Sequence, residues 1–64
     1  MINVSQAVLD GIEAVRVSGK TNMLDYDAVM VIANKMGYHK TVVWMHHNRK
    51  VYAEGLFAGF EAKK

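Results

Sequence analysis

The chain reads as a small all-α domain, a bundle of three helices or four with short connectors. Three observations predict this. The 64 residues contain no proline, the residue that loops use and helix interiors reject. Apolar residues recur every three or four positions along three stretches, the period of a helix with one buried face. Gly19 and Gly37 separate those stretches. The length leaves room for a single domain, 1–64. A domain of this size buries only about 60% of the surface its unfolded chain exposes. With no cysteine no disulfide can staple it, so association with a second copy or another protein is the expected reinforcement.

The first helix is expected from Ser5 to Ser18. Ser5 can accept a hydrogen bond from an orphan N–H of the first turn. Val8, Ile12 and Val15 form one apolar stripe, while Gln6, Asp10, Glu13 and Arg16 lie off it. Gly19 suits the left-handed residue that ends a helix. The second helix is expected from Asp25 to Met36, capped by Asp25, with Leu24 folded back on Val29 as a hydrophobic staple. Its stripe is Val29, Ile32, Ala33 and Met36; Val31 points away, and Gly37 ends it as Gly19 ends the first. The third stretch starts near Lys40 and continues to about Phe60. Val42, Met45, Tyr52, Ala53, Leu56 and Phe60 share one face of a helical wheel, and Arg49 falls among them. Either the helix breaks between His47 and Lys50, giving four helices, or Arg49 snorkels at the core edge. One long helix is the favoured reading.

The formal net charge is +2, a mild excess rather than the dense basic stripe of a dedicated nucleic-acid binder. No apolar run approaches the ~20 residues that cross a bilayer, and no basic segment followed by an apolar core opens the chain. No membrane role is expected, and the expected compartment is the cytosol.

Two motifs suggest chemistry and fail on geometry. Ser18-Gly19-Lys20-Thr21 resembles the end of a phosphate-binding loop, but the glycine required five residues before Gly19 is Ala14, within a helix. His39 and His46 stand two turns apart on a continuous helix, roughly 10 Å, too far to share one ion. His46 and His47 are adjacent and point about 100° apart. Ser5 and Ser18 lie at helix ends rather than on a nucleophile elbow, and Asp25 and Asp27 are explained by capping and the helix dipole. The expectation is a protein that is not an enzyme, with no metal, cofactor or small-molecule substrate.

Two surfaces remain. On the third stretch Trp44, Val51, Gly55 and Ala58 fall together, away from the core face. Gly55 and Gly59, four apart, would let another backbone approach closely. Tryptophan in a central apolar patch is a typical interface anchor. This stripe, with Val31, Arg49 and Lys50 as rim contacts, predicts a protein-binding module that self-associates or covers a partner's surface. The alternative is a small DNA-binding regulator. The run from Val31 to Trp44 has the rhythm of a helix-turn-helix: Ala33, Gly37 four residues later, then a second helix beginning Lys40-Thr41-Val42. His39, Lys40, Thr41, Val43, Trp44 and His47 would then face the major groove, and Arg49 and Lys50 would contact phosphates. Val43 and Trp44 are poor groove readers, and the apolar position expected mid-helix falls at His46. Close packing followed by a helix end is the simpler account of Ala33 and Gly37.

From Val8 to Leu56 the chain resembles a family of very small proteins from phages and prophages of Gram-positive bacteria, classed as a domain of unknown function. The matching residues are Ser18-Gly19-Lys20-Thr21-Asn22-Met23-Leu24-Asp25, then Ala28-Val29, Ile32-Ala33, Met36-Gly37-Tyr38, and Arg49-Lys50 with Tyr52. Family members are more acidic where this chain has His46 and His47. The resemblance implies a cytosolic product of a phage or prophage accessory gene and no particular reaction. By analogy of size and origin, it implies action on a host protein, including defence machinery such as CRISPR effectors.

Overall fold

A computed structural model describes residues 1–63. The chain runs β1 (Ile2–Val4), α1 (Gln6–Ser18), α2 (Tyr26–Lys35), α3 (His39–His47), α4 (Arg49–Ala58) and β2 (Phe60–Ala62). This is a small helical fold in its four-helix form, with short connectors and one addition, a parallel two-stranded ribbon that joins the two ends of the chain. Ile2 pairs with Phe60, Asn3 with Glu61 and Val4 with Ala62. The ribbon is extended by bonds from Ile2 N–H to the Gly59 carbonyl (2.9 Å) and from Lys63 N–H to the Val4 carbonyl (2.7 Å).

The first two helices start and stop where their local chemistry dictates. The Ser5 hydroxyl accepts from Val8 N–H at 3.3 Å, and the Asp25 carboxylate accepts from Ala28 N–H at 3.2 Å. After α2 the chain closes a Schellman turn: Gly37 N–H donates to the Asn34 carbonyl (3.1 Å) and Tyr38 N–H to that of Ala33 (2.9 Å). The turn needs a left-handed residue, and Gly37 supplies it with φ of 87°. Two positions differ from expectation. Leu24 is exposed, so no staple closes on Val29, and Met36 also faces solvent. One lies in the connector and the other past the last full turn, where helical periodicity no longer governs orientation.

The long third helix is corrected to two. The chain breaks at Asn48, whose φ of −134° and ψ of 44° are not helical. The break is held at the end of α3. The Asn48 side-chain amide donates to the Trp44 carbonyl (2.9 Å), and its backbone N–H donates to that of Met45 (3.2 Å). The Tyr26 hydroxyl, reaching from α2, adds a second bond to the Met45 carbonyl at 2.7 Å. Two of the carbonyls that the end of a helix leaves without partners, those of Trp44 and Met45, are thereby satisfied. Breaking here also removes Arg49 from the core face; its guanidinium carbon sits 4.6 Å from the Tyr26 ring centroid. Ala53 is exposed as a result, and Phe60 belongs to β2 rather than to a helix.

α1 packs on both α2 and α3, and α2 packs on α3. The main core joins Val15, Val29, Ala33, Met45 and Tyr52, and a second joins Val4, Val8 and Ile12. Met23, Trp44 and Phe60 touch both and merge them into one interior. α1 and α3 approach closely at Gly11, where a Cβ would collide with the Thr41 side chain and lie 2.9 Å from the Tyr38 Cβ.

Candidate functional site

The exposed side of α3 carries the feature most suggestive of function. Residues four apart on a helix stack along one line, and His39, Val43 and His47 form such a line. With Lys40, Trp44 and Asn48 they bound a shallow groove of about 470 Å³. Val43 is the apolar centre, 57% exposed. Trp44 forms one wall. Its indole is half-buried and meets the Phe60 ring edge-on, with centroids 6.0 Å apart. The His39 ring bonds the Asn34 side chain across the turn at 3.1 Å, which fixes the upper end of the groove. No carboxylate lines it. Between Asp27 and Glu54 the sequence contains no acidic residue, while Lys35, Lys40, Arg49, Lys50 and all three histidines fall in that interval.

The two residue sets expected from sequence fare differently. Because the helix breaks at Asn48, Trp44 lies on α3 while Val51, Gly55 and Ala58 lie on α4, and they do not form a single stripe. Gly55 is buried, and its missing side chain is replaced by the chain's own Phe60, whose ring occupies the space a Cβ would need. It is not open to a partner backbone. Val51 is half-buried; Ala58, Val31 and Lys50 are exposed. In the other set, His39, Lys40, Val43 and His47 do share the exposed side of α3. Thr41 does not. It is fully buried, and its hydroxyl donates to the Val8 carbonyl at 3.0 Å. The buried positions of α3 are Thr41 and Met45, so the helix is rotated from the orientation a helix-turn-helix reading assigns it. Phe57, which no sequence argument singled out, is 84% exposed on α4.

The connector from Ser18 to Asp25 uses its polar groups internally. The Ser18 hydroxyl donates to the Val15 carbonyl (2.6 Å) and accepts from Lys20 N–H (3.3 Å). The Asn22 side chain accepts from Leu24 N–H (2.9 Å). The Met23 carbonyl accepts from the Tyr52 hydroxyl at 2.6 Å. Burial pushes that phenol up to about 12. Gly19 and Lys20 therefore sit in a clamped turn, not in a loop that wraps a phosphate. The Glu13–Arg16 pair on α1 is exposed; the hydrogen bond from Arg16 lowers the Glu13 carboxyl. Among the described residues no three His, Cys, Asp or Glu side chains stand close enough to hold a metal ion together.

The family described as a domain of unknown function (DUF5049) matches residues 4–59. The chain belongs to this family. The DUF5049 match takes in all four helices, the clamped connector and the α3 groove. Comparison with curated proteins and with solved structures finds no match.

Proposed function

We propose that this chain is a non-enzymatic protein-binding module that docks through the exposed side of α3 and acts by covering a surface of its partner. The observation that carries the reading is the groove centred on Val43, an exposed apolar side chain between an indole and two imidazoles, with no carboxylate among its walls. Apolar area of this kind gains free energy when another surface removes it from water. A second copy of the chain and a host protein are the two occupants. Light scattering across a concentration series separates them. Self-docking gives a dimer that Val43→Asp dissociates, weakening association about tenfold or more by placing an unpaired carboxylate in the contact. A monomer at every concentration removes self-docking.

The resemblance of stretch 18–25 to phage and prophage proteins supports placing the chain in the cytosol of a Gram-positive host as an accessory product that blunts a defence factor. The test is plating efficiency of a CRISPR-targeted phage on cells that express the wild type or Val43→Asp. Equal plating on wild-type-expressing and empty cells removes that defence role. Among the described residues no helix is long and apolar enough to cross a membrane.

A DNA-binding regulator is the second reading, favoured by the three-residue turn between α2 and α3 with Gly37 at its centre. A gel shift with duplex DNA tests it. A DNA complex loses affinity as salt rises, log K falling by about 0.9 per phosphate contacted for each unit of log salt.

A further inference from the structure

The proposed docking role leaves the chemistry of the partner open, and the α3 groove narrows it. We infer that the groove takes an acidic amphipathic segment of a partner protein, one that sets an apolar side chain on Val43 against Trp44 and directs a carboxylate to Lys40. This rests on the α3 groove being the docking face.

Three features carry the inference. The first is shape. His39, Val43 and His47 are spaced about 6 Å apart along the helix axis, four residues at 1.5 Å each, so the groove is a line rather than a pit. A helix or extended segment laid along α3 fits that form. The second is polarity. The centre is apolar and the polar groups stand around it, which is the arrangement of a protein contact, an apolar core within a polar rim. A helix that reads base edges needs hydrogen-bonding side chains at its centre, and here the centre is a valine. The third is charge complementarity. No acid occurs between Asp27 and Glu54, an interval that holds four Lys and Arg residues. Of these cations Lys40 lines the groove, and Arg49 is stacked on Tyr26. A single lining lysine is meagre for a phosphate backbone but matches a carboxylate, and the groove has no carboxylate in its lining to repel an acidic segment.

Trp44 is the sole tryptophan and forms a groove wall, so its emission reports occupancy directly. The experiment pans a displayed random dodecamer library against the full chain. It then titrates the selected peptides, and a mixed-sequence 20-base-pair duplex, into the wild type, Val43→Asp, Lys40→Glu and Lys20→Glu while Trp44 emission is followed. Far-UV circular dichroism verifies that each variant is folded; Val43, Lys40 and Lys20 are all exposed. The expected result is enrichment of Asp and Glu around an apolar residue. Affinity should fall about tenfold or more in Val43→Asp and about tenfold in Lys40→Glu. In Lys20→Glu, the same charge change outside the groove, it should stay within about twofold. Selected peptides without acidic enrichment that still lose binding in Val43→Asp would leave the docking face standing and overturn its acidic preference. Peptides that bind Val43→Asp as tightly as wild type would overturn both. A duplex that perturbs Trp44 at lower concentration than the best peptide would overturn the inference in favour of DNA.

Discussion

Two glycines in this chain do similar jobs with different tolerance for change. At Gly11 the obstacle to a side chain is the Thr41 hydroxyl and Cβ together with the Tyr38 Cβ; the two Cβ atoms are attached directly to the backbone at the start of α3 and cannot swing away. At Gly55 the obstacle is the far edge of the Phe60 ring, which is half-buried and can swing. Gly11→Ala is therefore expected to cost about 1–3 kcal/mol by overpacking, with Gly55→Ala less costly. Thermal unfolding orders them: each kcal/mol lowers Tm by about 4–8 °C in a domain of this size. Equal shifts would mean that α1 and α3 can slide apart freely. Tyr52 offers a second measurement at this scale. Its phenol is raised from an ordinary value near 10 to about 12 by burial. Folding thus favours the protonated form, and its contribution is complete below pH 10. It declines from pH 10 to about 12, where the unfolded chain has released the proton and the folded chain still holds it. Tyr52→Phe should flatten that part of the pH–stability curve relative to wild type, read by denaturant melts at pH 9 to 12. Unchanged slope would mean that the hydroxyl is open to solvent.

The elements divide into those written locally and those that need the rest of the molecule. Ser5, Asp25, Gly19 and Gly37 act within four residues of themselves, so α1 and α2 were legible to within a residue or two. The stripes of Val8, Ile12 and Val15, and of Val29 with Ala33, follow from spacing alone. The break at Asn48 is different. Asparagine in mid-helix is only mildly unfavourable; beside the local bonds of Asn48, the end of α3 takes a bond from the Tyr26 hydroxyl, 22 residues before Asn48. The docking stripe proposed across Trp44 and Gly55 failed for the same reason. Wheel geometry presumes one axis, and the space beside Gly55 is filled by a residue that arrives only after the chain turns back at Gly59. Thr41 faces outward only in the register of a helix-turn-helix; here the absent side chain of Gly11 makes room for it inside, and its hydroxyl donates to the Val8 carbonyl. What was legible of the candidate site is the set His39, Lys40, Val43 and His47, because four-residue spacing survives on α3 alone.

At the scale of the whole molecule the ribbon matters most, because it joins the first element to the last. Pairing Ile2 with Phe60 closes a loop of nearly the entire chain, and loop-closure entropy rises with length. Contacts of that kind form late, after the local helices have docked. Val4 is buried in the ribbon-side core. Val4→Ala is expected to speed unfolding and leave the folding rate nearly unchanged, and stopped-flow kinetics read both. A folding rate that drops in proportion to the lost stability would place the ribbon in the nucleus instead. The parallel register has a mechanical consequence too. Residue 1 leaves the ribbon at one end and residue 63 at the other. A tug applied to both tails slides β1 along β2, so the hydrogen bonds between them are loaded together in shear rather than unzipped one by one. For so small a body, this layout makes the seam between its two tails the element that meets stretching first.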